Sequence, residues 1–312
     1  MPLDPQAAAL IASLAGGTPV EQMTLEESRA ALEERCRLTA GMPREVARVS
    51  VGSVPGPGGA IRTRTYVPEG STPMPGLVFF HGGGWVRGSL QTHDVLCRAL
   101  ANDAACVVVS VDYRMAPEHT FPAAIDDCFA ATHWVADHAA ELDIDPRHLA
   151  VAGDSAGGNL AAAVAQLARA TGGPPLAYQV LLYPVTNFDL DTASYVRNAE
   201  GYMLTRAAMR YYWREYLAGA DGSDVRASPL RATDFSNLPP ALVITAEFDP
   251  LLDEGRAYAD KLRAAGVPVT YSEYAGMVHG FMTSAGVLDQ GQHAIDETAS
   301  ALKAAFGAAV VA

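Results

Sequence analysis

Lysine is almost missing from this chain of 312 residues: only Lys261 and Lys303 occur, and 22 basic against 35 acidic residues leave a formal net charge of −13. So few cations build no basic patch, which argues against nucleic acid as a partner. Cysteine is scarce as well. Cys36, Cys97, Cys106 and Cys128 are irregularly spaced with no C-x-x-C pair, so free thiols are expected rather than a disulfide framework or a zinc site. No H-E-x-x-H motif occurs, and neither a metal nor a cofactor is expected. Long apolar runs are absent too: Ala7 to Gly16 is far too short to span a bilayer, and the opening Met-Pro-Leu-Asp-Pro-Gln lacks the positive region of a secretory signal. A cytoplasmic protein without stable membrane association is the expectation. No Gly/Ser/Pro-rich linker, internal repeat or low-complexity tract divides the chain.

What is present begins with Gly153-Asp154-Ser155-Ala156-Gly157-Gly158, where a serine stands between glycines as the apolar run His148 to Ala152 gives way to a helical pattern. Leu160, Val164 and Leu167 follow at helical spacing, and Gly172-Gly173 stop the helix. Strand, sharp turn and helix in that order form a nucleophile elbow, with the Ser155 hydroxyl pushed out where a reactant can reach it.

A serine hydroxyl is a poor nucleophile at neutral pH, so it needs a base, an acid to orient the base, and donors for a developing oxyanion. The apolar run Gly76 to Phe80 ends in His81-Gly82-Gly83-Gly84-Trp85, whose amides at Gly83 and Gly84 can join that of Ala156 as the donors. His81 is read as holding this loop rather than as a base. Only His279 and His293 follow the serine, as the elbow's chain order requires. His293 belongs to a C-terminal helical stretch, whereas His279 sits in a glycine-flanked loop after the strand-like run Val267 to Tyr274, so the base falls to His279. Glu247, Asp249 and Asp253 follow the apolar run Ala241 to Ala246. Asp249 is favoured because Pro250 pins the loop behind it, while Asp253 reads as part of the next helix.

Together, His81-Gly82-Gly83-Gly84-Trp85, Gly153-Asp154-Ser155-Ala156-Gly157-Gly158, Asp249-Pro250-Leu251 and His279-Gly280-Phe281 resemble the bacterial hormone-sensitive-lipase-like carboxylesterases of the α/β-hydrolase fold. Tyr113-Arg114-Met115-Ala116-Pro117-Glu118 resembles a further signature of that family with Met115 in place of leucine. The resemblance runs from about residue 45 to the C-terminus. It implies Ser155, Asp249 and His279 as the triad and Gly83, Gly84 and Ala156 as the oxyanion hole, in agreement with the reading from spacing.

Strand-like runs near 46–53, 60–67, 76–80, 106–112, 148–152, 179–183, 241–246 and 267–274 alternate, after the first pair, with helical stretches. That pattern predicts a mostly parallel eight-stranded sheet covered by helices on both faces. Residues 1–45 and 187–235 lack strand patterns, and the resemblance implies that both build a helical cap over core segments 46–186 and 236–312. The cap and oxyanion loop bring Trp85, Tyr202, Met203, Met209, Tyr212 and Trp213 as candidate pocket residues, although such a cluster also suits plain helix packing. The expected reaction is hydrolysis of short to medium acyl-chain esters through an acyl-enzyme, with a small-molecule ester as partner and homodimerisation left open. An amide or formamide hydrolase on the same triad is the alternative, and a small-molecule receptor a more distant one.

Overall fold

In a computed structural model, which describes residues 2–308, the runs of β-branched and aromatic residues pair into one eight-stranded sheet. β1 (Arg48–Gly56) and β2 (Gly59–Val67) form an antiparallel hairpin whose register sets Val54 opposite Ile61. β3 (Met74–Phe80), β4 (Val107–Asp112), β5 (Ile144–Asp154), β6 (Tyr178–Leu182), β7 (Ala241–Phe248) and β8 (Val269–Val278) run parallel. The spatial order is β1-β2-β4-β3-β5-β6-β7-β8, with β2 antiparallel to β4. The helices are α1 (Pro5–Ser13), α2 (Leu25–Thr39), α3 (Asp94–Ala104), α4 (Ala123–Asp137), α5 (Ala156–Thr171), α6 (Ala193–Arg197), α7 (Arg206–Leu217), α8 (Leu252–Ala264) and α9 (Asp289–Ala308).

Parallel strands must be covered on both faces, and alternation along β3 supplies the two apolar surfaces. Leu77 and Phe79 enter a core shared with Leu100 of α3 and Leu302 of α9, while Val78 and Phe80 enter another shared with Ile125 of α4, Leu160 of α5 and Leu262 of α8. Each of these buried side chains contributes about 1.5–3 kcal/mol by leaving water. Cys97, Cys106 and Cys128 are free and buried in this packing, and Cys36 is free and buried on α2.

All eight expected strand runs form, several of them longer than expected, and the ends of β5 and β8 bear on the site. β5 already pairs at Ile144, opposite Met74, across a polar stretch that does not read as buried strand. β8 continues past Gly276 to Val278, because between Tyr274, opposite Ala246, and Val278, opposite Phe248, the register shifts and extra β8 residues around the positive-φ Gly276 are accommodated. This lengthening positions the site. β3 ends immediately before His81, β5 before Ser155, β7 before Asp249 and β8 before His279, so the four motifs sit at the carboxyl ends of parallel strands.

α1 and α2 lie within residues 1–45, and α6 and α7 within 187–235; neither segment contributes a strand among the described residues. α2 starts at a capping box in which the Glu27 carboxylate accepts the Thr24 amide at 2.8 Å. α7 is capped by Thr205, whose hydroxyl accepts the Ala208 amide at 3.0 Å. Met209, Tyr212, Trp213 and Tyr216 then share its buried face at helical spacing. Among the described residues no helix is long and apolar enough to cross a membrane.

Candidate active site

Ser155 joins β5 to α5 with φ 56° and ψ −117°, a conformation that costs on the order of 1–3 kcal/mol for a residue with a side chain. The surroundings enforce it. The Ser155 amide donates to the Leu182 carbonyl at 2.8 Å and its carbonyl accepts from the Val185 amide at 3.2 Å. Gly153 and Gly157 let the turn close, since a Cβ on Gly157 would run into the Phe80 carbonyl and one on Gly153 into that of Gly157. The Ser155 hydroxyl therefore stands at the N-terminus of α5, pointing away from the sheet into a cavity.

The ends of three strands complete a continuous hydrogen-bonded line. His279 Nε2 lies 2.9 Å from Ser155 Oγ, and His279 Nδ1 lies 2.7 Å from Asp249 Oδ2. Asp249 is fully buried and its other carboxylate oxygen accepts the Leu251 amide at 2.9 Å, so its orientation is fixed. Asn198 holds the same loop by donating to the Asp249 carbonyl at 3.0 Å. The other candidates from sequence stand apart from this line, and Glu247 accepts the Gly276 amide at 2.7 Å. Asp253 lies in the first turn of α8 and accepts the Ser194 amide at 2.7 Å, while His293 is exposed on α9.

The loop after β3 turns back on itself, with Gly83 and Gly84 at φ 121° and 64°. The Gly83 carbonyl accepts the Arg87 amide at 3.1 Å, and a Cβ on Gly84 would collide with the Tyr212 ring. Among the described residues the amides of Gly83, Gly84 and Ala156 have no protein acceptor. All three residues stand by Ser155, and Ala156 is the first residue of α5, where the helix dipole favours negative charge.

Asp154, one residue before the serine, fastens this loop to the elbow. Its Oδ1 accepts the Gly82 amide at 2.8 Å and lies 2.9 Å from His93 Nε2. Burial opposes ionisation of this carboxyl, but the neighbouring His93 and the Gly82 amide outweigh it and hold the group below the usual carboxylate range. His81 is buried too, donating from Nδ1 to the Gly82 carbonyl at 2.9 Å and stacking on Tyr113 with ring centres 4.4 Å apart. Burial, helped by His93, pushes His81 down to about 4, so it is neutral at physiological pH.

The cavity around Ser155 has a volume of about 60 Å³ and adjoins an outer cavity of about 620 Å³. Of the pocket residues expected from sequence, Met203, Met209 and Tyr212 line the inner cavity, and Tyr202 lines the outer one. Trp85 and Trp213 line neither. Trp85 stacks on Tyr216 with ring centres 4.2 Å apart and tilts against Trp213 at 4.7 Å, so these indoles fix α7 to the loop after β3. Sequence reasoning passed over Leu32, Arg35 and Cys36 of α2 and Arg87, which also line the inner cavity. The helical spacing of 32, 35 and 36 was available as a signal, but it does not reveal what the face would meet.

A family model described as the alpha/beta hydrolase fold matches residues 77–283. Carboxylesterase NlhH of Mycobacterium tuberculosis is 48% identical over 239 residues, 75% of each chain. Ethyl acetate hydrolase of Pseudomonas putida is 37% identical over 97% of this chain and 99% of its own. Among solved structures, ester-hydrolase EH1AB1 from the metagenome of Lake Arreo superposes with a TM-score of 0.94 at 45% identity, covering 98% of this chain and 99% of that one.

Proposed function

The chain is a carboxylesterase of the α/β-hydrolase fold family, and from that premise we propose that Ser155, His279 and Asp249 form its catalytic triad. The observation that carries this reading is the unbroken line from Ser155 Oγ through His279 to the buried Asp249, beside three amides with no protein acceptor.

In the first half-reaction, Ser155 Oγ attacks the ester carbonyl carbon as its proton passes to His279 Nε2. The carbonyl oxygen takes up the electron pair and is held by the amides of Gly83, Gly84 and Ala156, while Asp249 stabilises the imidazolium. The imidazolium then protonates the departing alkoxide, leaving an acyl group on Ser155. In the second half-reaction, water gives a proton to His279 and attacks the acyl carbon; the serine oxygen leaves, recovers the proton, and the carboxylic acid is released.

We read α1 and α2 together with α6 and α7 as the cap, acting over a small-molecule ester in the cytoplasm. Bulky Met203, Leu204, Met209 and Tyr212 crowd the inner cavity, which favours short to medium acyl chains. Turnover of p-nitrophenyl esters across acyl length, with Ser155→Ala as control, tests the proposal. The expected maximum falls at about four to eight carbons, and Ser155→Ala lowers turnover by about 10⁴- to 10⁶-fold. Residual activity of the variant within about tenfold of wild type would overturn the triad, and a maximum at about fourteen carbons or more the substrate range.

A further inference from the structure

Two arginines stand beside the triad without a carboxylate. Arg35 lies on α2 between Leu32 and Cys36, on the face turned toward the inner cavity, and Arg87 closes the turn that begins at Gly83. Both residues line the inner cavity with Ser155 and His279, and both line the outer cavity as well. They therefore stand where the two cavities meet.

In a chain of net charge −13, most guanidiniums find carboxylates, as Arg29 does at Glu118 and Arg114 at Asp127. Among the described residues, neither the Arg35 nor the Arg87 guanidinium forms an ion pair with a carboxylate, and the polar neighbour of Arg87 is the Tyr212 side chain. The buried Arg87 Nε has no partner at all. Arg87 is part-buried and steadied by the Tyr212 ring, whose centre is 5.5 Å from the guanidinium carbon. Acidic side chains nearby do not answer the charge: Glu33 accepts the Ser89 hydroxyl at 3.1 Å, and Glu34 pairs with Arg37 at 2.7 Å. Glu21 lines the outer cavity and joins neither arginine in an ion pair.

Two part-buried guanidiniums lining the same cavities repel one another, and burial with the charge of Arg87 holds Arg35 below the ordinary arginine range. An anion between them would relieve that repulsion and take up the unused donors. A carboxylate fits best, because its two oxygens match the planar fork of a guanidinium.

We propose that the preferred ester carries a carboxylate, bound by Arg35 and Arg87 where the catalytic cavity opens into the outer one. The inference rests on the triad reading, since an ester with its carbonyl at Ser155 must send one of its two arms through this junction. The charged arm can belong to the acyl group, as in a half-ester of a dicarboxylic acid, or to the alcohol.

The test compares kcat/KM for anionic esters and their neutral counterparts of matched length. Monoethyl adipate against ethyl hexanoate probes the acyl arm, and the butyrate ester of γ-hydroxybutyrate against butyl butyrate probes the alcohol arm. In the wild type the anionic ester is expected to be the better substrate in one of the two arms. Arg35→Met and Arg87→Met should each lower the anionic-to-neutral ratio by about ten- to a hundredfold, and Arg87→Lys by less. A wild-type ratio at or below one in both arms, or a ratio unmoved by both methionine variants, would overturn the proposal. Hydrolysis of the neutral esters by wild type keeps the two readings apart: its absence would count against the esterase mechanism, while its presence with no charge preference counts against the arginine site alone.

Discussion

The Asp154 carboxylate accepts the Gly82 amide at 2.8 Å, so the residue before Ser155 grips the loop that carries the proposed oxyanion donors. Two loops from neighbouring strands, β3 and β5, are thereby held in one register with each other. The x of the G-x-S-x-G motif makes a contact here that the motif itself does not express.

Asp154→Ala should strand the Gly82 amide and the His93 ring inside the protein and destabilise the fold by about 2–4 kcal/mol. It should also lower kcat for esters by more than about tenfold, because the donors at Gly83 and Gly84 lose their anchor. Asp154→Asn retains an oxygen acceptor for Gly82 and should recover most of both losses. Chemical denaturation and steady-state kinetics check this, and equal behaviour of the two variants would argue against the anchor.

Asp249→Asn should lower ester turnover by about 10³- to 10⁴-fold, because the amide no longer selects the His279 tautomer that accepts from serine. Asp253→Asn should cost less than about tenfold, since an asparagine oxygen can still accept the Ser194 amide. The reverse ranking would move the orienting acid to Asp253.

His81 gives the fold a specific acid sensitivity. Its ordinary value of 6.5 is lowered to about 4 by burial, so between those limits the unfolded chain binds a proton that the native state refuses. Stability from this residue is therefore complete above about pH 6.5 and declines as pH falls toward about 4, by on the order of 3 kcal/mol. His81→Phe keeps a ring against Tyr113 but cannot titrate, so its stability should fall less steeply across that window. Parallel decline of wild type and variant in urea titrations at a series of pH values would refute the assignment.

The order of elements was legible because the strands of a parallel sheet, buried on both faces, read as unbroken apolar runs, as Val107 to Val109 does. That Ser155, Asp249 and His279 meet was legible for a different reason: elbow glycines, a proline-pinned loop and chain order are local signals. Trp85 and Trp213 were not, because an aromatic residue next to a catalytic loop serves equally as pocket wall or as packing, and only the stack on Tyr216 decides. Arg35 and Arg87 stayed hidden for a similar reason. Arg35 sits in a highly charged helix where any arginine reads as solvated, and its burial depends on α7 and the β3 loop arriving from far along the chain.

Covalent trapping tests the central claim most directly: that Ser155, activated by His279, is the nucleophile. Incubation with an aryl alkylphosphonate followed by intact-mass and peptide mass spectrometry should show one phosphonyl group per chain, located on Ser155, with loss of ester turnover in step with labelling. Ser155→Ala should remain unlabelled, and His279→Ala should label more slowly by about 10³-fold or more, because the hydroxyl loses its base. Stoichiometric labelling at another residue, or full ester turnover by a chain fully labelled at Ser155, would contradict the account.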